Sequence, residues 1–393
     1  MSRGPLAGVR VIESGDCLAA AYCGRILAEQ GAEVVKLLDQ APGGSETGPL
    51  LPPDHPVYPL YLDYGKHMLR IDLARRAGQR ILLALTRRSD VLLCGSCHQA
   101  DRGPRDMAAR ARRANPALVA FCITPFGLNG PYAALPSSDL VNCYASGLAY
   151  VMPEGVTDLE QDPPLRPGAL SAEFFSGLCA AVRVVAAHLT ACARGRGETI
   201  DFAKQEALTI AMGVNPTLGA YFKKQTGRNA PGFAGGGGVF PCRDGLVELN
   251  FVSVRQWDDL VRLMGSSEWA ADPHFRERIN RWQSWDFVTG QIRRWTMEQS
   301  RDDLVKRAQR LRIPCLPVLE PAQVLTNPHM RRRGVFQRRR AGGLSALVPR
   351  GLVNLTDGDA PARTGPGRDY VLTEVLHYKR RNVRRLRETG VVS

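Results

Sequence analysis

Val9-Arg-Val-Ile-Glu13, then an apolar helical period from Ala19 to Gln30 stopped by Gly31, then Glu33-Val-Val-Lys-Leu-Leu38: these segments decide the fold. A short apolar run reads as a strand, a 3.6-residue period as a helix, and a glycine just past it as the helix stop. The unit repeats. Met68 to Leu73 reads as a strand, Gln79 to Thr86 as a helix, and Asp90 to Cys94 as a buried strand. Arg105 to Ala114 reads as a helix and Ala117 to Thr124 as a strand. Such repetition predicts an α/β fold, a doubly wound and mostly parallel sheet with helices on both faces and ligand sites at the carboxyl ends of the strands. The polar, Pro/Gly-rich stretch from Asp39 to about Asp54 is long for a connection and is a candidate lid or substrate loop.

Two motifs limit the chemistry. Glu13-Ser-Gly-Asp-Cys-Leu stands where a dinucleotide fold carries G-x-G-x-x-G, and no P-loop is present, so no ordinary nucleotide site is expected. Cys94-Gly-Ser-Cys97-His98 matches the haem-attachment spacing, but that chemistry belongs to secreted proteins, and no second C-x-x-C exists for zinc. A strand end carrying buried thiols is expected there, with no metal and no tightly bound cofactor.

Downstream, Phe126-Gly-Leu-Asn-Gly-Pro-Tyr132 is a turn-rich loop and Asp139 to Tyr150 a helix. After a Pro-rich connection to Gly168, Glu173-Phe-Phe-Ser-Gly-Leu opens a long apolar helix to about Cys192. Gly195-Arg-Gly ends it, Glu198 to Phe202 reads as a strand, and Lys204 to Phe222 as a further helix. Thr226 to Gly238 marks a boundary, and Arg243-Asp-Gly signals a hairpin between Val239–Cys242 and Val247–Phe251. Helices follow at Val254 to Met264 and within Phe287 to Leu311. Pro314 to Val318 reads as a strand returning to the main body, and Tyr370 to Arg387 as a basic C-terminal helix. The expected organisation is 1–225 as the first part of a large α/β domain, 226–312 as an inserted smaller α+β domain, and 313–393 as the return.

Composition supports a folded chain: of 393 residues, 44% are hydrophobic and 23% charged, which excludes wholesale disorder, collagen and a disulfide miniprotein. No run of about 18 uncharged apolar residues occurs, so no membrane span is expected. No apolar run follows Arg3, so no secretory signal is expected, and the ten Cys would be reduced in the cytoplasm. The net charge is +14, and residues 331–393 hold 15 basic against five acidic residues. Such a tail could draw phosphate, an acidic partner such as an acyl carrier protein, or nucleic acid. The nucleic-acid reading lacks a recognition-helix motif and aromatic-interleaved basic residues. A solvated basic helix is the plainer reading.

Six blocks, in order, resemble the family III CoA-transferases, which include formyl-CoA transferase, carnitine CoA-transferase and alpha-methylacyl-CoA racemases. They are Pro5-Leu-Ala-Gly-Val-Arg-Val-Ile, Leu27-Ala-Glu-Gln-Gly-Ala-Glu-Val-Val-Lys36, Asn115-Pro-Ala-Leu-Val119, Phe126–Tyr132, Phe174-Phe-Ser-Gly-Leu178 with the Gly235–Gly238 run, and Gly195-Arg-Gly-Glu-Thr-Ile-Asp201. The fifth looks closest to the carnitine branch. The resemblance implies an interlocked homodimer, acyl-CoA and a small carboxylic acid as substrates, coenzyme A as co-substrate, and covalent catalysis by a carboxylate at the start of the long apolar helix. The family's Asp falls on Glu173. Independently, a carboxylate in a first helical turn is favoured as an anion by the dipole, and Phe174 and Phe175 would limit water. The plainer alternative is a carboxylate in a favourable first-turn position.

By the same resemblance, Lys36, Lys66, Arg102 and Arg105 are candidates for CoA phosphates. Tyr132, Asp139 and Tyr144 are candidates for the acyl substrate. Gly235, Gly236, Gly237 and Gly238 are read as a loop closing over the nucleophile, or as a hinge. There are departures: Glu173 is one methylene longer than Asp, Ala19-Ala-Ala21 replaces Ala-Gly-Pro, and the basic positions after the Asp90–Cys94 strand do not match one for one. Ser138-Asp139 stands where a racemase would carry His. Two functions stay open: CoA transfer between acids through Glu173, or a repurposed member acting on CoA- or carrier-linked acyl groups as an acyltransferase, isomerase or dehydratase-like enzyme.

Overall fold

A computed structural model describes residues 4–15, 17–39, 57–96, 102–152, 161–213, 215–222, 236–341, 343–351 and 369–393. The opening elements are β1 (Arg10–Gly15), α1 (Leu18–Glu29), β2 (Glu33–Asp39), α2 (Val57–Leu62), β3 (His67–Ile71), α3 (Arg76–Thr86), β4 (Val91–Gly95), α4 (Arg102–Ala114) and β5 (Val119–Thr124). There follow α5 (Asp139–Ala145), α6 (Ser171–Arg194), β6 (Thr199–Ala203), α7 (Lys204–Ala211) and α8 (Asn215–Phe222). Six strands form one parallel sheet in the order β3-β2-β1-β4-β5-β6.

Strand alternation sends neighbouring side chains to opposite faces, so a sheet covered on both sides needs apolar residues at every position. Ile12, Val35, Leu92 and Ala120 pack with Ile81 and Leu85 of α3 and Ala108 and Ala111 of α4. Val11, Val34, Leu93 and Phe121 pack with Cys23 and Leu27 of α1 and Ala180 and Val184 of α6. The doubly wound, mostly parallel sheet read from the sequence is present. Although α6, at 24 residues, is long and apolar enough to cross a membrane, here one of its faces lies in that second core.

The strand order reverses between β1 and β4, whose tips meet at Gly15 and Gly95. Gly15 has φ +107°, and a Cβ there would lie 1.8 Å from the Gly95 carbonyl oxygen. A Cβ on Gly95 would lie 2.7 Å from those of Cys17 and Ala20. The paired glycines let α1 start directly against the strand tips, at the crevice where open α/β sheets bind ligands.

The chain divides into two compact units, one of Met1–Ala149, Arg166–Val214 and Val335–Ser393, the other of Tyr150–Leu165 and Asn215–Gly334. The second contains β7 (Gly237–Cys242), β8 (Gly245–Asn250), a capped helix at Val254–Leu263, and β9 (Cys315–Pro317). Because β9 pairs antiparallel with β8, Pro314 to Val318 belongs to this unit and does not return to the main body as read. The continuous helix expected from Lys204 to Phe222 is two helices separated at Gly213, where φ is +59°. A hairpin of β10 (Phe336–Ala341) and β11 (Leu344–Pro349) was not foreseen. The C-terminal helix is shorter than expected: a turn at Val371–Val375 is followed by His377 at φ +56° and then a helix at Arg380–Glu388.

Candidate functional site

Glu173 lies in the first turn of α6 and is 5% exposed. Its Oε2 accepts the Ala19 backbone N–H at 2.9 Å and faces the Cys17 thiol at 3.7 Å. The residue before α1, Cys17, supplies no side-chain cap, so a carboxylate from another helix does so. Oε1 is paired with the Lys204 ammonium, which is 1% exposed. Lys204 is the first residue of α7, directly after β6. The N-terminus of α1 and a buried ammonium thus hold the two oxygens at the switch point.

Local folding fixes this placement. Ser138 caps α5 by accepting from the Val141 N–H, and Asp139 follows in its first turn. Asp139 Oδ1 accepts the Glu173 N–H at 3.2 Å, while Oδ2 accepts from Arg166 at 2.9 Å. Burial pushes the Asp139 carboxyl up from its ordinary value, as does the Glu173 charge; the Glu173 N–H, Arg166 and Lys204 pull the other way. Ala169 and Leu170, at φ +61° and +56°, turn the chain into α6 through two left-handed residues. At Gly177 a Cβ would lie 2.6 Å from the Ala19 carbonyl oxygen, so the glycine brings α6 onto the first turn of α1. Phe174 meets Tyr22 edge to face at 4.9 Å, and with Tyr61, Leu18 and Leu170 they form an apolar cluster beside the carboxylate's own turn. Among the described residues, the Asn142 amide and the Ser176 hydroxyl are buried without a hydrogen-bond partner, one turn beyond Asp139 and Glu173 respectively.

Other residues singled out in the sequence go elsewhere. Lys66 is fully buried and donates to Glu13 Oε2 and the Ala21 carbonyl, each at 2.7 Å. Lys36 pairs with Asp63 at 2.6 Å and Glu13 at 3.4 Å. Burial pulls the Lys66 ammonium down despite Glu13; for Lys36, Glu13 and Asp63 outweigh burial and hold it up. Both lysines are paired with carboxylates in this structure. Arg105 donates to the Leu128 carbonyl and the Asn129 side chain, both at 2.5 Å. It therefore braces the Phe126–Tyr132 loop, as does Asp201, which accepts the Leu128 N–H at 2.8 Å. Arg102 opens α4.

Tyr132 stacks edge to face on Phe126 and is half exposed, and Tyr144 is half exposed on α5. Gly237 and Gly238 are strand residues paired with Asn250 and Leu249, and the Gly236 carbonyl, at the bend just before the strand, accepts the Phe251 N–H. Gly235, Cys97, His98 and the stretch 40–56 lie outside the described residues. Among the described residues no group of three His, Cys, Asp or Glu is arranged for a metal. The site thus joins Glu173 and Asp139 from the sequence reading to Lys204, Ala19, Cys17 and Arg166, which that reading missed. The only available signal was a lysine placed at the carboxyl end of a strand.

The sequence pattern of "CoA-transferase family III" matches residues 6–367. L-carnitine CoA-transferases from a Proteus species and from Proteus mirabilis are each 28% identical over 369 residues, covering 88% of this chain and 85% of theirs. In fold, the chain is similar to a CAIB/BAIF family protein from Brucella suis, with TM-score 0.79 and 22% identity over 96% of this chain and all of that one. It is also similar to the protein Rv3272 of M. tuberculosis in an orthorhombic form, with TM-score 0.75 and 21% identity over 92% and 95% of the two chains. The family match spans the strand tips, the helix carrying Glu173 and the strand leading to Lys204: the chain belongs to CoA-transferase family III.

Proposed function

We propose that this transferase moves CoA between an acyl-CoA and a carboxylic acid through a covalent anhydride on Glu173. One observation carries the reading: the only carboxylate in the first turn of α6 is buried at the switch point of the sheet, with Oε2 on the first turn of α1. Attack of a Glu173 oxygen on the thioester carbonyl would give a mixed anhydride and CoA thiolate. The thiolate then attacks the Glu173 carbonyl carbon, releasing the acid and leaving an enzyme–CoA thioester. The Ala19 N–H, aimed at one oxygen, is placed to steady charge there, and the Phe174, Tyr22 and Tyr61 cluster limits water beside an anhydride. The carnitine CoA-transferase relatives make L-carnitine one acid to try first.

Glu173→Gln is expected to abolish exchange of labelled CoA between acetyl-, butyryl- or L-carnitinyl-CoA and the free acids. The wild-type chain should show a CoA adduct on Glu173 by intact-protein mass. Unchanged exchange in the Gln variant overturns the reading.

The quaternary reading is an interlocked homodimer with the second unit inserted in the first, in the cytoplasm. Val182 and Leu189, about two turns apart on α6 and 64% and 63% exposed, are apolar surface for a second copy to cover. Exposed Arg380, Arg381, Arg384 and Arg385 on one short helix favour the second reading, an acidic acyl carrier protein as donor.

A further inference from the structure

We propose that Arg339, beside Arg25, forms a buried site for a small oxyanion of the class of inorganic phosphate or sulfate, apart from Glu173. Alternation along β10 leaves Arg338 and Arg340 exposed and turns Arg339 inward, where it is 6% exposed. Its guanidinium lies over the Tyr64 ring, and Nε, Nη1 and Nη2 are all buried with no hydrogen-bond partner among the described residues. A buried cation in that condition is costly, and buried polar groups are as a rule bonded. Glu29, whose charge acts on Arg339, is bonded to Arg25 instead. Arg25, 1% exposed, also donates to the Tyr61 carbonyl and, at 3.1 and 3.4 Å, to the Pro349 and Arg350 carbonyls. Among the described residues, two guanidinium groups thus share one carboxylate. Burial, then the Arg25 charge, pulls the Arg339 guanidinium down to about 10, so it is still charged at neutral pH and calls for a counter-ion.

The same geometry selects the ligand class. With its face on Tyr64, the guanidinium keeps its edge N–H groups for a partner. That planar fork matches two oxygens of one anion better than it matches a halide. Burial of all three nitrogens excludes a large ligand. Every residue of the site belongs to the first unit. An oxyanion bonded to Arg339 would tie the β10–β11 hairpin to α1, the helix whose first turn holds Glu173 Oε2. The Tyr61 ring, 4.2 Å beneath the Arg25 guanidinium, is 6.2 Å from the ring of Phe174, so the site adjoins the apolar cluster beside Glu173. The anion's role is to steady α1 and the hairpin, with no part in the chemistry.

The test is equilibrium dialysis of radiolabelled inorganic phosphate against the full-length protein, with CoA in excess to fill any seat for its own phosphates. Urea unfolding with and without phosphate runs beside it. About one phosphate should bind per chain and raise stability. Sulfate should displace it, and chloride at the same ionic strength should not. Arg339→Met is expected to weaken binding at least about tenfold, while Arg340→Met, which removes the same charge from the exposed face of the strand, leaves it unchanged. In phosphate-free buffer Arg339→Met should be at least as stable as wild type, and added phosphate should then favour wild type alone. Arg339→Gln takes its place if circular dichroism shows that the Met variant is not folded. No phosphate binding in wild type, displacement by chloride, or binding that survives loss of Arg339 overturns the assignment. So does a loss of stability in Arg339→Met that phosphate does not alter, the result expected if a carboxylate of a second copy pairs with Arg339.

Discussion

At the scale of single residues, the site depends on which polar atoms are buried together. Asp139 carries a pH signature. Burial raises its folded carboxyl above the ordinary 3.8, so in the window between 3.8 and the raised value the folded state holds the extra proton. The stability it adds is therefore greatest on the acid side and is lost as pH rises through the folded value. Asp139→Asn keeps an oxygen for the Glu173 N–H and removes the titration. Urea unfolding from pH 4 to 6 should show a stability profile that falls less, or rises more, with pH in the Asn variant than in wild type. Identical slopes would show that Asp139 titrates alike in both states.

Glu173 and Asp139 were legible because each opens a helix whose start the sequence marks. Lys204 was not: it is 31 residues from Glu173, and only the pairing of β6 beside β5 brings it in. The ion pairs of Lys36 and Lys66 went unread for a similar reason. Glu13 and Lys36 face each other in the β1–β2 register, and an acid inside an apolar strand beside a lysine signals a buried pair.

At the scale of elements, α1 and α6 meet at Glu173, and Gly177 sets their separation. Alanine there would gain helix propensity of about 1 kcal/mol. Its methyl, however, would lie 2.6 Å from a backbone oxygen and 3.1 Å from the Tyr22 side chain, so the helices must part. Gly177→Ala is expected to lower stability by about 1–3 kcal/mol. It should also cut CoA exchange, because the Ala19 N–H withdraws from Glu173. Urea unfolding and the exchange assay together would show it; full stability with full activity would contradict the packing described. The sheet strands and α1, α3, α4 and α6 were legible from period and caps, with boundaries moved by a few residues. What was missed has local reasons. The short α2 carries Pro59 within six residues, β10 is an arginine-rich strand with weak alternation, and the break at Gly213 falls inside an otherwise apolar period.

At the scale of the molecule, every described residue bonded to Glu173 lies in the first unit, so one copy of the chain supplies the carboxylate, its ammonium and its helix cap. Native mass spectrometry is expected to show two chains per particle, each taking up about one CoA. A monomer at micromolar concentration would remove the interlocked arrangement, while a dimer indifferent to CoA would move attention to carrier-bound donors. The cross-helix cap has its own consequence. The Ala19 amide is held by a full carboxylate at rest and would be held only by an ester-like oxygen after acylation, a weaker acceptor. Each turnover would loosen and re-tie the opening turn of the helix at the centre of the fold. The deuterium uptake of that one amide would then count acylated molecules, letting the scaffold report the state of its own chemistry.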